Sequence, residues 1–187
     1  MTEEAAFKVA LRFAAALDAA EIPYAVGGAL ALAVWSDPRA TKDVDINLFV
    51  EAAGLDAALD ALVAAGLSID RAAAHKADAA GDVVIGHVGS MRIDLFTPSI
   101  PFAWEAMRTR RRQRSRAGEA TYLSAEAIAV FKLLFFRAKD LVDVEKLLVV
   151  QGENIDTAYI RRWLVDMMGE GDERILALDQ MLLRRGA

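Results

Sequence analysis

The sequence predicts an α+β fold, with a mixed strand-and-helix core followed by an all-helical C-terminal part. Three observations carry this. Up to about residue 123, short runs with strand periodicity alternate with alanine-rich amphipathic segments. From Ser124 onward every segment has helical spacing. No run of about 18 apolar residues is free of charge, so nothing reads as a membrane span. The expected division is a core over 1–123 and a helical region over 124–187 packed on it.

The elements follow in order. Phe7, Leu11, Ala14 and Leu17 recur at helical spacing over 3–21, and Pro23 ends that helix. Tyr24 to Val26 is a short strand stopped by Gly27 and Gly28, and a helix runs from Ala29 to about Trp35. Val44 to Val50 is a strand, with Val44, Ile46, Leu48 and Val50 on one face and Asp43, Asp45, Asn47 and Phe49 on the other. A helix over 54–65 closes at Gly66. Leu67 to Asp70 reads as a short strand, and 71–81 is open between a helical turn and a loop. Asp82 to Val88 and Met91 to Thr97 form a hairpin about Gly89-Ser90. Pro101 to Met107 is a short helix, and the stretch through Gly118 to Tyr122 suggests a second hairpin. Ser124, followed by Glu126 and an apolar run, is an N-cap signal. Helices are expected near 124–137, 139–150, 155–168 and 172–184.

Composition removes several function classes. The 187 residues include no cysteine, which excludes disulfides, thiolate metal sites and thiol catalysis. His75 and His87 fit no zinc-ligand spacing. The first residues include Glu3 and Glu4, with Lys8 and Arg12 among alanines, which is not the pattern of a signal peptide, so a cytoplasmic location is expected. The net charge is −5, yet Arg108, Arg110, Arg111, Arg112, Arg114 and Arg116 fall within nine positions. That run is either a solvated hairpin or a patch for RNA or a triphosphate. Trp35, Trp104 and Trp163 read as core.

Three features carry chemistry. Gly27-Gly28, between a strand and a helix, lets a ligand approach the backbone, and the helix start offers free N–H groups to an anion. A simple tight turn would also explain the pair. Asp43 and Asp45 lie two apart on a strand, about 6.6 Å along it and pointing the same way, as two carboxylates sharing hard cations would. A solvated strand end is the alternative. Asp94 sits in an apolar strand, where a carboxylate is costly unless paired or metal-bound. Its alternative is a salt bridge with Arg92, two residues before it.

Together, Gly27-Gly28, a short helix, Arg39-x-Thr41-x-Asp43-x-Asp45 and the later Arg92-Ile93-Asp94-Leu95 resemble the nucleotidyltransferase superfamily, whose fold is shared with DNA polymerase β. The stretch Ser124-Ala-Glu126 … Lys132-Leu-Leu … Arg137-Ala-Lys-Asp140-Leu-Val-Asp143 is similar to the C-terminal signature of the AbiEii/AbiGii toxin-type branch. The likeness runs from about residue 21 to 150. Members often carry Gly-Ser where this chain has Gly27-Gly28.

The resemblance implies a mixed sheet flanked by helices and a C-terminal helical bundle. It also implies transfer of a nucleoside monophosphate from a nucleoside triphosphate to an acceptor hydroxyl, dependent on Mg2+ or Mn2+. Asp43, Asp45 and Asp94 would be the catalytic, metal-holding carboxylates. Gly27, Gly28, Arg39, Thr41 and Lys132 would bind the nucleotide. For Lys132, a lysine whose head reaches solvent from a helix edge is the alternative. Asp140 and Asp143, one turn apart, are expected to pair with Arg137 or Lys139. The acceptor would be tRNA or protein for a toxin-like module with an antitoxin partner, or a small molecule of aminoglycoside type. An inactive binding module with the same fold is the alternative of another class.

Overall fold

A computed structural model describes residues 3–37, 41–115 and 118–185. Its architecture is α+β, as predicted. The elements are α1 (Glu3–Ala19), β1 (Tyr24–Val26), α2 (Gly28–Trp35), β2 (Asp43–Leu48), α3 (Leu55–Ala64), α4 (Arg71–Ala80), β3 (Val84–Val88) and β4 (Met91–Phe96). They continue with α5 (Pro101–Thr109), β5 (Arg111–Ser115), β6 (Gly118–Tyr122), α6 (Ala125–Phe135), α7 (Ala138–Gln151), α8 (Thr157–Met168) and α9 (Glu173–Arg185).

The six strands form one mixed sheet in the order β3-β4-β2-β1-β6-β5. β2 runs parallel to β4, and β1 parallel to β6; the other pairs are antiparallel. A parallel neighbour needs a long crossover. Here α3, α4 and β3 supply it, carrying the chain from β2 out to the sheet edge and back into β4.

Local chemistry explains most boundaries. Asp70 accepts a hydrogen bond from the Ala73 amide at 3.1 Å, so it caps α4. This settles 71–81 as a helix and overturns the strand expected over 67–70. Of that stretch, Ser68 alone pairs with the sheet, in an isolated bridge to His87. The capping aspartate and the alanines behind it outweigh the short apolar run. Ser124 caps α6 by accepting from the Ala127 amide at 3.2 Å, as expected. The predicted hairpins both form, β3 with β4 and β5 with β6.

The apolar face of β2 (Val44, Ile46, Leu48) is fully buried, in one continuous cluster with Phe13 and Leu17 of α1 and Leu59 of α3. The same cluster reaches Ile128 of α6, Leu147 of α7 and Leu178 of α9. An aromatic knot, with Phe102 edge-on to Phe131 and Trp163 at 5.2 and 5.1 Å, locks α5 to α6 and α8. These helices stand beside the polar face of β2 and β4, where the cleft lies. Among the described residues, no helix is long and apolar enough to cross a membrane.

Candidate active site

Register assembles the site. β1 pairs with β2 so that Val26 faces Ile46; the next residue, Gly27, donates its amide to the Asp45 carbonyl at 2.8 Å. β2 pairs with β4 so that Asp45 faces Asp94 and Asp43 faces Arg92. Directly opposed residues on adjacent strands share a sheet face and lie about 4.8 Å apart. Gly27, Asp45 and Asp94, spread over the sequence, therefore meet at one place.

The glycines are required there for a steric reason. Gly28 has φ +54°, and a Cβ on it would lie 1.8 Å from Asp45 Oδ2. A Cβ on Gly27 would lie 2.6 Å from Asn47 Nδ2. The Asp45 carboxylate thus occupies the space a side chain would take at the start of α2. Asn47 is buried beside it and reaches the Ala25 carbonyl at 3.5 Å. Gly27 caps α2 with no side-chain bond, which leaves the first amides of the helix for an anion.

Burial pushes the Asp45 carboxyl up from 3.8 to about 6, helped by the nearby charges of Asp94 and Asp43; Lys132 and Lys139 oppose the rise. Three carboxylates crowded together favour either a proton or a cation. Asp94 Oδ1, however, accepts a hydrogen bond from Arg92 Nε at 2.7 Å. The salt bridge considered as the alternative at Asp94 is therefore real, and it coexists with the opposition to Asp45. Among the described residues, no three carboxylates or histidines are already drawn in as a metal ligand set. The residue types nonetheless suit a hard divalent cation, since Asp45 and Asp94 oppose each other on adjacent strands and a cation would offset the burial and the like charges that lift Asp45.

Asp43 is exposed at the strand end, where its amide donates to Thr41 Oγ1 at 3.3 Å and the hydroxyl returns a bond to its carbonyl at 3.2 Å. Thr41 thus shapes the loop entering β2. Arg39 lies outside the described residues.

Lys132 lines the cleft, but its ammonium is buried and held by Asp143 Oδ2 at 2.7 Å and Asp140 Oδ1 at 3.4 Å. It is neither unpaired nor solvent-reaching, and only the third of its N–H donors is left for a phosphate. Arg137 pairs with Asp140 through Nε at 2.5 Å, as expected, and its guanidinium also lies 4.9 Å from the Phe135 ring. Burial alone would raise the Asp140 carboxyl, but the Arg137 hydrogen bond and the Lys132 charge more than offset it and hold it low.

The cleft has a volume of about 810 Å³. Beyond the carboxylates it is walled by Phe49, Phe96, Phe131 and Phe135, and Asp82 and Asp166 stand at its rim. Neither of these two has an ion-pair partner among the described residues. Sequence reasoning missed both, because a lone surface aspartate gives no periodic signal.

The arginine run lies elsewhere. β5 is the edge strand beyond β6, three strand spacings from β2, about 14 Å. Arg108 pairs with Glu105 at 3.0 Å, and Arg112 with Asp18 and Glu119 at 2.8 and 2.7 Å. Arg116 lies outside the described residues.

No family model and no curated protein matches the sequence. Solved structures do match the fold. The antibiotic-resistance factor ANT(2'')-Ia in solution is similar to this chain at 15% identity and a TM-score of 0.54, over 86% of this chain and 94% of that one. The crystal structure of ANT(2'')-Ia in complex with adenylyl-2''-tobramycin is similar at 14% identity and 0.53, over 95% and 98%. An antigenic nucleotidyltransferase-like protein from Paracoccidioides brasiliensis is similar at 16% identity and 0.50, over 96% and 94%. The architecture is therefore the nucleotidyltransferase-like fold.

Proposed function

We propose that this chain is a metal-dependent nucleotidyltransferase that moves a nucleoside monophosphate from a nucleoside triphosphate to an acceptor hydroxyl. The observation that carries the reading is the direct opposition of Asp45 and Asp94 on adjacent parallel strands, with Asp45 lodged over Gly28 at the start of α2. Asp43 and Asp45 would hold both divalent ions, Mg2+ or Mn2+, and Asp94 the one on the acceptor side. What the metal supplies when bound is a lowered pKa for the acceptor hydroxyl and neutralised charge on the departing pyrophosphate. The amides after Gly27 and Gly28 would receive the phosphates of the triphosphate. Thr41 would set Asp43, and Arg39 would shape the loop between. Lys132, through its remaining donor and its charge, would favour the ionised Asp45 and reach a phosphate. The oxygen of the acceptor attacks the α-phosphorus as the bond to pyrophosphate breaks, so positioning and charge provide most of the rate.

A specific observation favours a small, amine-bearing acceptor over tRNA or protein. Asp82 and Asp166 line the cleft with no ion-pair partner among the described residues, while Arg108 and Arg112 are already paired and β5 lies three strands from the carboxylates. Two unpaired aspartates attract ammonium groups and disfavour an RNA backbone beside them. The toxin-like reading, with an antitoxin partner as the AbiEii/AbiGii likeness implies, is the competing outcome of the same experiment.

The test is incubation with each α-labelled triphosphate, Mg2+ or Mn2+, and three acceptor pools: aminoglycosides, total RNA and total protein. Label moving to one pool, lost with Asp45→Asn and on chelation, is expected. Absence of metal-dependent triphosphate binding would reduce the chain to a binding module.

A further inference from the structure

Arg92 is the basic side chain hydrogen-bonded to one of the three carboxylates. Its Nε donates to Asp94 Oδ1 at 2.7 Å, and its backbone faces Asp43 across β2 and β4. The geometry is imposed by the strand, since residues 92 and 94 point to one face and Asp43 and Asp45 stand opposite them on that same face. The arginine side chain is about half exposed, at 47%, while Asp94 is only 17% exposed. The carboxylate is thus fixed and the guanidinium is the partner free to swing out. Asp43 and Asp45 stand across from Arg92 and Asp94 on the neighbouring strand, so the arginine lies near all three acids.

A divalent ion on Asp94 would draw on the same carboxylate charge and the same field. A guanidinium on Oδ1 and a metal ion on the other oxygen would repel across a few ångströms, so each weakens the other's hold on Asp94.

We propose that Arg92 is a resident counter-cation, holding Asp94 in the nucleotide-free protein and competing with the divalent ion for it. This rests on the metal-dependent reading above and adds to it a positioning residue that sets when the carboxylate set closes. Arg92 keeps Asp94 aimed while the site is empty. It also makes the acceptor-side metal position weak until a ligand with its own negative charge draws the guanidinium away. Arg92 lines the cleft, so once released it can meet a phosphate or the acceptor without leaving the site.

The test is Mn2+ binding to nucleotide-free protein, followed by electron paramagnetic resonance and by calorimetry, in wild type, Arg92→Gln, Asp94→Asn and the double variant. Arg92→Gln should bind Mn2+ about tenfold more tightly than wild type, the scale of one charge-assisted hydrogen bond no longer opposed. In the Asp94→Asn background the same substitution should change the affinity by less than about twofold, since the competition runs through Asp94. Unchanged or weaker binding by Arg92→Gln overturns the proposal. So does an equal gain in the Asp94→Asn background, which would mean that Arg92 acts only as a distant positive charge. If Mn2+ uptake depends on Asp45 but ignores Arg92, the counter-cation role alone falls. If no variant takes up Mn2+, with or without a triphosphate, the metal-dependent reading falls instead. Because Arg92 is half exposed, circular dichroism is expected to show an unchanged fold.

Discussion

Replacing Gly28 by alanine isolates the contact on which the site depends. Two costs are expected. The residue sits at φ +54°, where a Cβ costs about 1–2 kcal/mol. The same Cβ would fall 1.8 Å from Asp45 Oδ2, so the carboxylate must retreat by more than about 1 Å, an overpacking cost of about 1–3 kcal/mol. Gly89 supplies the control. Its φ is +58°, nearly the same, and an added Cβ there meets nothing within 4 Å. Gly28→Ala should therefore be less stable than Gly89→Ala by about 1–3 kcal/mol, or about 2–12 °C in Tm for a domain of this size. The assay is thermal and urea unfolding of both variants, alone and with Asp45→Ala or Asp45→Asn. Asp45→Ala should relieve most of the excess, since its Cβ would be 3.0 Å away and needs to give only slightly. Asp45→Asn, equally bulky, should relieve none. Transfer activity of Gly28→Ala should fall about 100-fold or more, the usual consequence of a 1 Å misplacement. Equal stability of the two glycine variants, or no relief from Asp45→Ala, would refute the reasoning.

Other expectations follow from the same geometry. In chelator, Asp45→Asn should stabilise the protein at pH 7.5 by up to about 3 kcal/mol. The folded carboxyl titrates near 6 against 3.8 unfolded, so wild type loses stability as pH rises from about 4 through 6 and gains nothing back above. Urea midpoints at pH 3.5 and 7.5 check this; an equal effect at both values contradicts it. Lys132→Met should cost about 3–5 kcal/mol by removing the buried ammonium that both Asp140 and Asp143 bind, and a loss below about 1 kcal/mol would mean that the ammonium is not locked there. Asp94→Asn should leave triphosphate affinity nearly intact in equilibrium titration while transfer disappears, because it removes the acceptor-side ligand; retained activity rules out its role. Replacing Arg110, Arg112 and Arg114 by alanine should leave the salt dependence of any RNA retention unchanged, whereas a flatter slope would return the β5 edge to candidacy as an RNA surface.

The sequence alone determined the α+β class and nearly every element, and it proposed Asp43, Asp45 and Asp94 as the residues of chemical interest. Its signals are local: the alternation of β2, the helical spacing after Ser124, the turn at Gly89-Ser90 and a caps-and-glycines punctuation that needs no distant contact. It failed at 67–70, where alternation over four residues is too short to compete with the Asp70 cap. It also left undecided which neighbour each charged group would choose, because a charge pairs through space. Only the tertiary structure decided that Lys132 is bound by Asp140 and Asp143, that Asp94 is held by Arg92, and that Arg112 serves Asp18 across 94 positions of chain. It alone opposed Asp45 to Asp94, since strand order and register are set by how the apolar faces of β2 and β4 pack, and a shift of one residue would turn either carboxylate to the other side of the sheet.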